Sequence, residues 1–238
     1  MRCIGEAEQG SCHDGKFLMR LYCKESFMSK ADFVLRDGQA VVLIGDSITD
    51  CARRAEHAPM GNGYVQMIAA LSAAKYPQRK IDFINSGVNG NTIEDLAERW
   101  DQDVLAHRPD WISVMIGVND LLRKMEGRGG VPIDQYGAIY RELLERTRAA
   151  LSGCGFILMA PGIVRDDLQH EGNKMIQTYG KVVRELAKQF DAFFVPVYDA
   201  FAEVIASGRP RQWTDGGCHP NADGHGLVSL AWLNTLHW

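Results

Sequence analysis

Residues 40–47 read AVVLIGDS, a run of five apolar residues that ends directly in a polar turn. Four similar short apolar runs follow along the chain. Together the runs predict strands over residues 40–44, 81–84, 111–116, 156–159 and 193–197. Short strands that are apolar throughout are typical of a parallel sheet that is covered on both faces.

Segments with helical spacing lie between these apolar runs. One stripe runs from Ile93 to Trp100, with Thr92 or Asn91 as the expected N-cap. Further helices are predicted from Tyr64 to Leu71 and over residues 133–151, 174–189 and 222–236. Strands that alternate with helices predict an α/β fold, a three-layer α/β/α sandwich around a central, mainly parallel five-stranded sheet.

The chain of 238 residues is long enough for one α/β domain. Hydrophobic residues make up 46% of it, so the core needs neither a metal nor a disulfide to hold it together. Residues 1–30 differ from the rest because they are polar and show no sustained periodicity. We predict a domain over residues 31–238 and, over residues 1–30, an N-terminal arm that is disordered or is an extension added by an upstream start codon.

Charge and hydropathy argue against several classes of partner. The net charge of −4 gives no basic footprint for nucleic acid or an anionic membrane. No apolar run approaches the roughly 20 residues of a membrane span, and the N-terminus lacks a secretory pattern. The six cysteines include no C-x-x-C pair, and scattered thiols favour a cytoplasmic protein. A disulfide among Cys3, Cys12 and Cys23 stays open as the less favoured alternative.

Polar motifs follow the first three predicted strands, at the sheet edge where parallel α/β proteins bind ligands. Gly45-Asp46-Ser47 comes first. A serine hydroxyl held there can act as a nucleophile once a base takes its proton. Taken alone, the motif is weak evidence and is better explained as a serine N-cap for the next segment with Asp46 as a turn former.

The next two motifs contain candidate hydrogen-bond donors. The run from Asn85 to Thr92 contains Gly90, and a glycine lets backbone N–H groups face a ligand. Asn119 lies in Gly117-Val118-Asn119-Asp120, where its amide can donate to a developing oxyanion. Ordinary turns are the alternative for both motifs, and a phosphate loop is disfavoured because no G-x-x-x-x-G-K-[ST] pattern is present.

The fourth motif, WTDGGCHPN over residues 213–221, precedes the last predicted helix. His219 on this loop, with Asp215 nearby to orient it, is what a Ser-His-Asp site requires. A surface histidine is the alternative, and His225 is interpreted as structural because it lies within the predicted helix. A metal site from Asp215, Cys218, His219 and His225 is disfavoured because its spacing matches no standard pattern.

The four motifs, in this order, resemble the signature blocks of the SGNH hydrolase family, within the wider GDSL esterase and lipase group. The segments IGDSITDC, SGVNGNT, RWDQDVLAHRPDW and MIGVND are similar to the intracellular acetyl-xylan esterase-like branch. The resemblance implies a flavodoxin-like fold, no cofactor, often a homo-oligomer, and removal of acetyl groups from xylo-oligosaccharides. It assigns Ser47 as nucleophile, His219 as base, and Gly90 and Asn119, with the Ser47 N–H, as the oxyanion hole.

One departure concerns the aspartate. The family reads D-x-x-H-P, whereas here the position three residues before His219 is Gly216 and Asp215 lies one residue earlier. We expect a glycine bulge to return Asp215 to His219, the alternative being a backbone carbonyl that orients the imidazole. Asp46, Asp50 and Trp213 are further expected to line the substrate site.

Three other functions remain open from the sequence. Another acyl hydrolase of the same family, such as a carboxylesterase, thioesterase or lysophospholipase, would share the fold and the catalytic residues. A non-catalytic carbohydrate-binding homologue is favoured only by the displaced Asp215. A flavodoxin-like nucleotide binder lacks any recognisable phosphate loop.

Overall fold

The sheet predicted from the sequence is confirmed in a computed structural model that describes residues 32–208 and 211–238. Its strands are β1 (Ala40–Gly45), β2 (Asp82–Gly87), β3 (Trp111–Met115), β4 (Gly155–Met159) and β5 (Phe193–Val195). They pair in parallel in the order β2-β1-β3-β4-β5. The predictions for residues 1–30, including the disulfide alternative, lie outside the described residues.

The strand order places a topological switch point between β1 and β3, because the chain leaves β1 towards one edge and then returns to its other side. Such a crevice is where open α/β sheets bind ligands. The register aligns the strand ends, since Gly45 pairs with both Gly87 and Met115. The three segments that follow β1, β2 and β3 therefore start from one edge of the sheet.

Helices connect the strands and include three that the periodicity did not predict. They are α1 (Ser47–Asp50), α2 (Tyr64–Lys75), α3 (Ile93–Asp103), α4 (Val118–Met125), α5 (Ile133–Ala150), α6 (Glu171–Gln189), α7 (Val197–Ala206) and α8 (Ala222–Thr235). The unpredicted ones are α1, α4 and α7. β5 is shorter than expected because Pro196, which lacks a backbone N–H for a ladder, is the N-cap of α7.

Two hydrophobic clusters cover the two faces of the sheet. Val42 and Ile44 of β1 belong to one cluster, with α3, α5 and α6, whereas Val41 and Leu43 belong to the other, with α2, α7 and α8. This alternation is the two-residue period of a strand that is buried on both sides. The three-layer α/β/α prediction is thereby confirmed. In the described ranges, no helix is both long and apolar enough to cross a bilayer.

Candidate active site

Ser47 is the first residue of α1 and follows β1 after a single intervening residue, Asp46. Asp46 is the N-cap, and its Oδ1 accepts a hydrogen bond from the backbone N–H of Ile48 at 3.0 Å. Only 2% of Asp46 is exposed. The expectation that Asp46 contacts substrate is therefore corrected, since its carboxyl group is buried and caps the helix that begins with Ser47.

Ser47 and His219 meet although 172 residues separate them. The Ser47 Oγ lies 2.8 Å from the His219 Nε2, which is hydrogen-bond distance. His219 lies in a short hairpin over residues 213–221, called the His219 hairpin below. Thr214 and Pro220 form its antiparallel bridge, and the Asn221 N–H donates to the Trp213 carbonyl at 3.0 Å.

Asp215 begins the turn of the His219 hairpin and is exposed. Its backbone N–H donates to the His219 carbonyl at 3.0 Å. Among the described residues, no hydrogen bond or ion pair joins the Asp215 carboxylate to the His219 ring. Gly216 follows with φ +83°, a conformation that glycine adopts readily. Gly216 and Gly217 lie in this turn, and the predicted glycine bulge does not bring the Asp215 carboxylate into contact with the His219 imidazole in this structure.

The two predicted oxyanion residues lie on neighbouring segments of the same sheet edge. Gly90 has φ +80° in the loop that follows β2, and Asn119 is the second residue of α4. The Asn119 Nδ2 donates to the Asn91 carbonyl at 3.0 Å. A side-chain amide has two N–H donors, so this bond orients the amide and leaves one donor for a ligand.

Three arginines hold the end of β2 and the loop that contains Gly90, and of these only Arg53 was expected from the sequence to line or support the site. Each guanidinium donates to a different carbonyl, two at the end of β2 and one in the loop. The pairs are Arg99 with Ser86 (2.7 Å), Arg53 with Gly87 (2.6 Å) and Arg123 with Gly90 (2.6 Å). No local pattern could reveal them, since each joins residues that are 13 to 34 positions apart.

Two buried carboxyl groups flank this part of the site. Burial raises the pKa of Asp46 to about 7, against the opposing hydrogen bond from Ile48, and the charge of Asp120 adds to the rise. Burial likewise raises the pKa of Asp120 to about 7, although its Oδ1 accepts the Ile93 N–H at 3.1 Å. Within residues 32–208 and 211–238, the buried Asp120 Oδ2 has no hydrogen-bond partner.

Two open cavities meet at Ser47. One of about 450 Å³ is lined by Asp215, His219 and Asn62, among others. The other, of about 480 Å³, includes Asp50 in its lining. Ser47 lines both cavities, so a bound ester can extend from its hydroxyl in two directions.

Asp50 and Trp213 were both expected to line the substrate site, but they lie in different surroundings in the structure. Asp50 lines one cavity, where its Oδ2 accepts from Arg54 and from the Asn89 N–H, each at 2.9 Å. Trp213 is not among the residues that line either cavity, and its indole Nε1 is buried. Its backbone N–H donates to Asp166 Oδ2 at 2.8 Å, so Trp213 belongs to the support of the His219 hairpin.

His225 also lines the cavity that contains His219. Its Nδ1 accepts the Tyr64 N–H at 3.2 Å, and its Nε2 lies 3.3 Å from the Cys51 Sγ. Burial is the strongest influence on the pKa of His225 and lowers it to about 4. Both ring nitrogens are thus engaged, which agrees with a structural interpretation. Among the described residues, no group of three His, Cys, Asp or Glu side chains is arranged to hold a metal ion.

Comparisons with known proteins agree with this geometry. The model of the GDSL-like Lipase/Acylhydrolase family matches residues 43–227. An acetylxylan esterase from Geobacillus stearothermophilus is 35% identical over 208 residues, covering 84% of this chain and 94% of that enzyme. Thioesterase 1/protease 1/lysophospholipase L1 of Escherichia coli strain K12 is 26% identical over 153 residues, covering 64% and 65%.

Solved structures give the same result. The crystal structure of the Geobacillus esterase superposes with a TM-score of 0.79 at 34% identity and covers 86% of this chain and 97% of that one. An alpha/beta hydrolase enzyme from the metagenome of Lake Arreo, Spain, reaches a TM-score of 0.79 at 30% identity with the same coverage. Three further structures of the Geobacillus esterase are of catalytic mutants, in which a serine, an aspartate or a histidine is replaced by alanine.

Proposed function

The chain belongs to the GDSL-like lipase/acylhydrolase family and is a carboxylic ester hydrolase, and we propose that Ser47 and His219 carry out the hydrolysis. The observation that carries the proposal is the 2.8 Å contact between the Ser47 Oγ and the His219 Nε2. A hydroxyl and an imidazole at this distance can exchange the proton that makes the hydroxyl a nucleophile.

The reaction then proceeds through an acyl-enzyme. The Ser47 Oγ bonds to the ester carbonyl carbon while His219 accepts the hydroxyl proton. The bond from that carbon to the alcohol oxygen breaks, and His219 gives its proton to the leaving alcohol. Water, deprotonated by His219 in turn, bonds to the acyl carbon. The bond from that carbon to the Ser47 Oγ then breaks, His219 returns the proton to the Oγ, and the carboxylic acid is released.

The developing oxyanion needs hydrogen-bond donors, and the segments that follow β1, β2 and β3 offer three. The proposed donors are the backbone N–H groups of Ser47 and Gly90 and the side-chain amide of Asn119. Support comes from the hydrogen bond that fixes the Asn119 amide and from the arginine that binds the Gly90 carbonyl. Donors that are held in place before the reaction stabilise the transition state without a reorganisation cost.

Asp215 is proposed to stabilise the positive charge that His219 acquires. Its carboxylate lines the same cavity as His219 and is exposed. Because the two side chains are not hydrogen-bonded here, Asp215 acts on His219 through its field, which water screens. We therefore assign it a smaller contribution than a buried, hydrogen-bonded aspartate would make.

The proposed substrates are acetyl esters, among them acetylated xylo-oligosaccharides or similar sugars. The Geobacillus relative is named an acetylxylan esterase, and it covers most of this chain. The linings of the open cavities beside Ser47 include polar side chains such as Asn62, Asp50 and Arg54, which can hydrogen-bond to sugar hydroxyls. We further propose a cytoplasmic location, from the scattered thiols, and a homo-oligomeric state, from the family resemblance.

The central test is alanine substitution of the two reacting residues. We expect Ser47→Ala and His219→Ala each to lower kcat by about 10⁴-fold or more, because neither residue can act without the other. Acetate release from acetylated xylo-oligosaccharides and from an aryl acetate is the measurement. His107→Ala is the control. His107 is exposed and ends the short 3₁₀ helix Leu105–His107, so the variant should retain wild-type activity. Near-normal turnover by Ser47→Ala would refute the mechanism.

A series of acyl chains tests the substrate class. Preference for acetate over esters of eight or more carbons is expected, whereas the reverse preference would favour the lysophospholipase-like or thioesterase-like function of the Escherichia coli relative. Absence of fluorophosphonate labelling at Ser47 would favour a non-catalytic carbohydrate-binding protein.

A further inference from the structure

The two strands of the His219 hairpin are held by different parts of the molecule. The second strand runs directly into α8, because Asn221 is the N-cap of that helix and its Oδ1 accepts the Gly224 N–H at 3.1 Å. The Asn221 Nδ2 also donates to the Gln212 carbonyl at 2.9 Å, at the base of the hairpin. This side of the hairpin is thus fixed by a helix that packs on the sheet.

The first strand of the hairpin is bound by a distant carboxylate. Asp166 Oδ2 accepts the backbone N–H of Trp213 at 2.8 Å and that of Thr214 at 3.3 Å, across 47 and 48 positions of sequence. Within the hairpin, the bonds that flank the bridge use the N–H groups of Asp215 and Asn221. The Trp213 and Thr214 N–H groups are therefore left over from the hairpin's own pairing, and Asp166 accepts both.

Asp166 is itself held by a buried side chain. It lies in the loop between β4 and α6, and Asn173 of α6 is 0% exposed beneath this loop. The Asn173 Nδ2 donates to the carbonyls of Arg165 and Asp167, both at 2.7 Å, and its Oδ1 accepts the Val164 N–H at 2.7 Å. The residues on both sides of Asp166 are thus fixed to α6, so its carboxylate has a defined position.

A carboxylate is chemically suited to this place. It only accepts hydrogen bonds when ionised, and bonds from N–H groups to a charged acceptor are stronger than neutral ones. The Asp166 Oδ1 is buried and has no hydrogen-bond partner among the residues that the structure describes. Because burial of a carboxylate oxygen without a partner costs free energy, the two bonds at Oδ2 have to offset that cost.

We infer that Asp166 is a positioning residue, which holds the first strand of the His219 hairpin so that the imidazole reaches Ser47. The inference rests on the proposed roles of Ser47 and His219. A displacement of the imidazole by about 1 Å would break a 2.8 Å contact and can cost roughly 100-fold in rate. The hairpin's tip is exposed at both Asp215 and His219, so the position of the imidazole depends on how the stem is held.

The test compares Asp166→Ala with Asp166→Asn and with a neighbouring control. Asp167→Ala is the control because the exposed Asp167 side chain accepts only the Gln169 N–H of its own loop, at 2.9 Å. Two readouts are taken: kcat and KM for an aryl acetate, and the labelling of Ser47 by a fluorophosphonate. The amplitude of labelling counts folded sites, whereas its rate constant reports how well His219 activates Ser47.

We expect Asp166→Ala to keep the full labelling amplitude but to label about 10- to 100-fold more slowly. Its kcat should fall in parallel, with KM within about twofold of wild type. Asp166→Asn keeps an acceptor oxygen for the two N–H groups and should retain activity within about threefold. Asp167→Ala should match the wild type in both readouts.

Several outcomes would overturn the inference. A wild-type rate constant in Asp166→Ala would do so even if the variant melts earlier, since a merely structural residue lowers amplitude and not rate. An equal loss in Asp167→Ala would point to a general effect of the loop. If Asp166→Ala does not fold, Asp166→Leu, which is close to aspartate in size but has no acceptor oxygen, is measured instead, and a normal labelling rate in that variant overturns the inference. Absence of labelling in the wild type itself would refute the proposed function, which separates the two failures.

Discussion

The nucleophile side and the base side of the site are built in different ways. Ser47, Gly90 and Asn119 lie on segments that follow three adjacent strands, and buried or arginine-bound groups hold each segment. His219 lies on an exposed hairpin whose stem is joined to the domain by Asp166 and by the start of α8. Catalytic geometry can therefore combine a rigid sheet edge with a loop, provided that other loops and helices fix the stem of that loop.

The contrast has an energetic basis. Backbone donors at a strand end cannot move without disturbing the two hydrophobic clusters on the sheet. Donors that are fixed before the reaction are the ones that stabilise developing charge. A general base must stay within reach of the proton that it transfers, and the exposed His219 hairpin meets this need through the Asp166 and α8 contacts at its stem. The two sides should accordingly respond differently to substitution.

The largest effect among the supporting residues is expected at Asn119. Asn119→Ala removes one oxyanion donor and should lower kcat by about 10²–10³-fold while KM changes little. Steady-state kinetics on an aryl acetate measure the change. Asn119→Asp keeps the shape of the side chain but cannot donate when ionised, so it should be at least as impaired. An Asn119→Asp variant with normal kcat would mean that the amide is not a donor to the oxyanion.

A smaller effect is expected at Asp215, on the hairpin. Replacing a buried, hydrogen-bonded triad aspartate by asparagine lowers kcat by about 10⁴-fold. Asp215 is exposed and not hydrogen-bonded to His219, so we expect Asp215→Asn to lower kcat only about tenfold. The measurement is kcat for an aryl acetate at low and at high salt.

The salt dependence sharpens this comparison. Because exposed charges are screened, the difference between wild type and Asp215→Asn should shrink as salt increases. A salt-independent loss near 10⁴-fold would show that the carboxylate reaches the imidazole during turnover, as a glycine bulge at Gly216 would allow. The two sides of the site would then be equally preorganised.

The sequence predicted the nucleophile side better than the base side. The strands β1, β2 and β3 were visible because each contains a short, nearly all-apolar run, although β2 continues through Asn85 and Ser86 to Gly87, beyond its predicted end at Ile84. Parallel strands bring such ends to one edge of the sheet. Asp46 was wrongly expected to line the substrate site, because an aspartate directly after a strand can be a helix cap or a ligand contact, and its identity alone does not distinguish the two. α1 has four residues, too few to show a helical period.

The support of the site was not predictable from local patterns. Arg123 binds the Gly90 carbonyl 33 positions away, and Asp166 binds the His219 hairpin 47 positions away. A carbonyl or an N–H group is present at nearly every residue, so these partners leave no signature in composition or spacing. Asp215 is the opposite case, because its motif is visible in the sequence but the expected contact with His219 is not formed. A one-residue shift in a glycine-containing turn changes where a side chain points and leaves the motif recognisable.

Asp120 directly follows the proposed oxyanion residue Asn119. Its substitution is expected to have the smallest effect on activity and a separate effect on stability. Burial raises the pKa of Asp120 to about 7, above its ordinary value of 3.8. Between these two values the unfolded chain has released the proton that the folded chain still binds. The free energy of unfolding therefore falls as pH rises from about 4 to about 7, and Asp46, whose pKa is also about 7, contributes in the same direction.

Asp120→Asn should remove the Asp120 part of this pH dependence. The amide oxygen can accept the Ile93 N–H as the carboxyl does, and a neutral NH₂ takes the place of the unpartnered Oδ2. Urea unfolding at pH 5 and pH 8 should show a smaller loss of stability in the variant than in the wild type. Asp167→Asn, at an exposed position, should retain the wild-type loss. If Asp120→Asn loses as much stability as the wild type, Asp120 is already ionised in the fold, and the nucleophile side holds a buried charge that its neighbours stabilise.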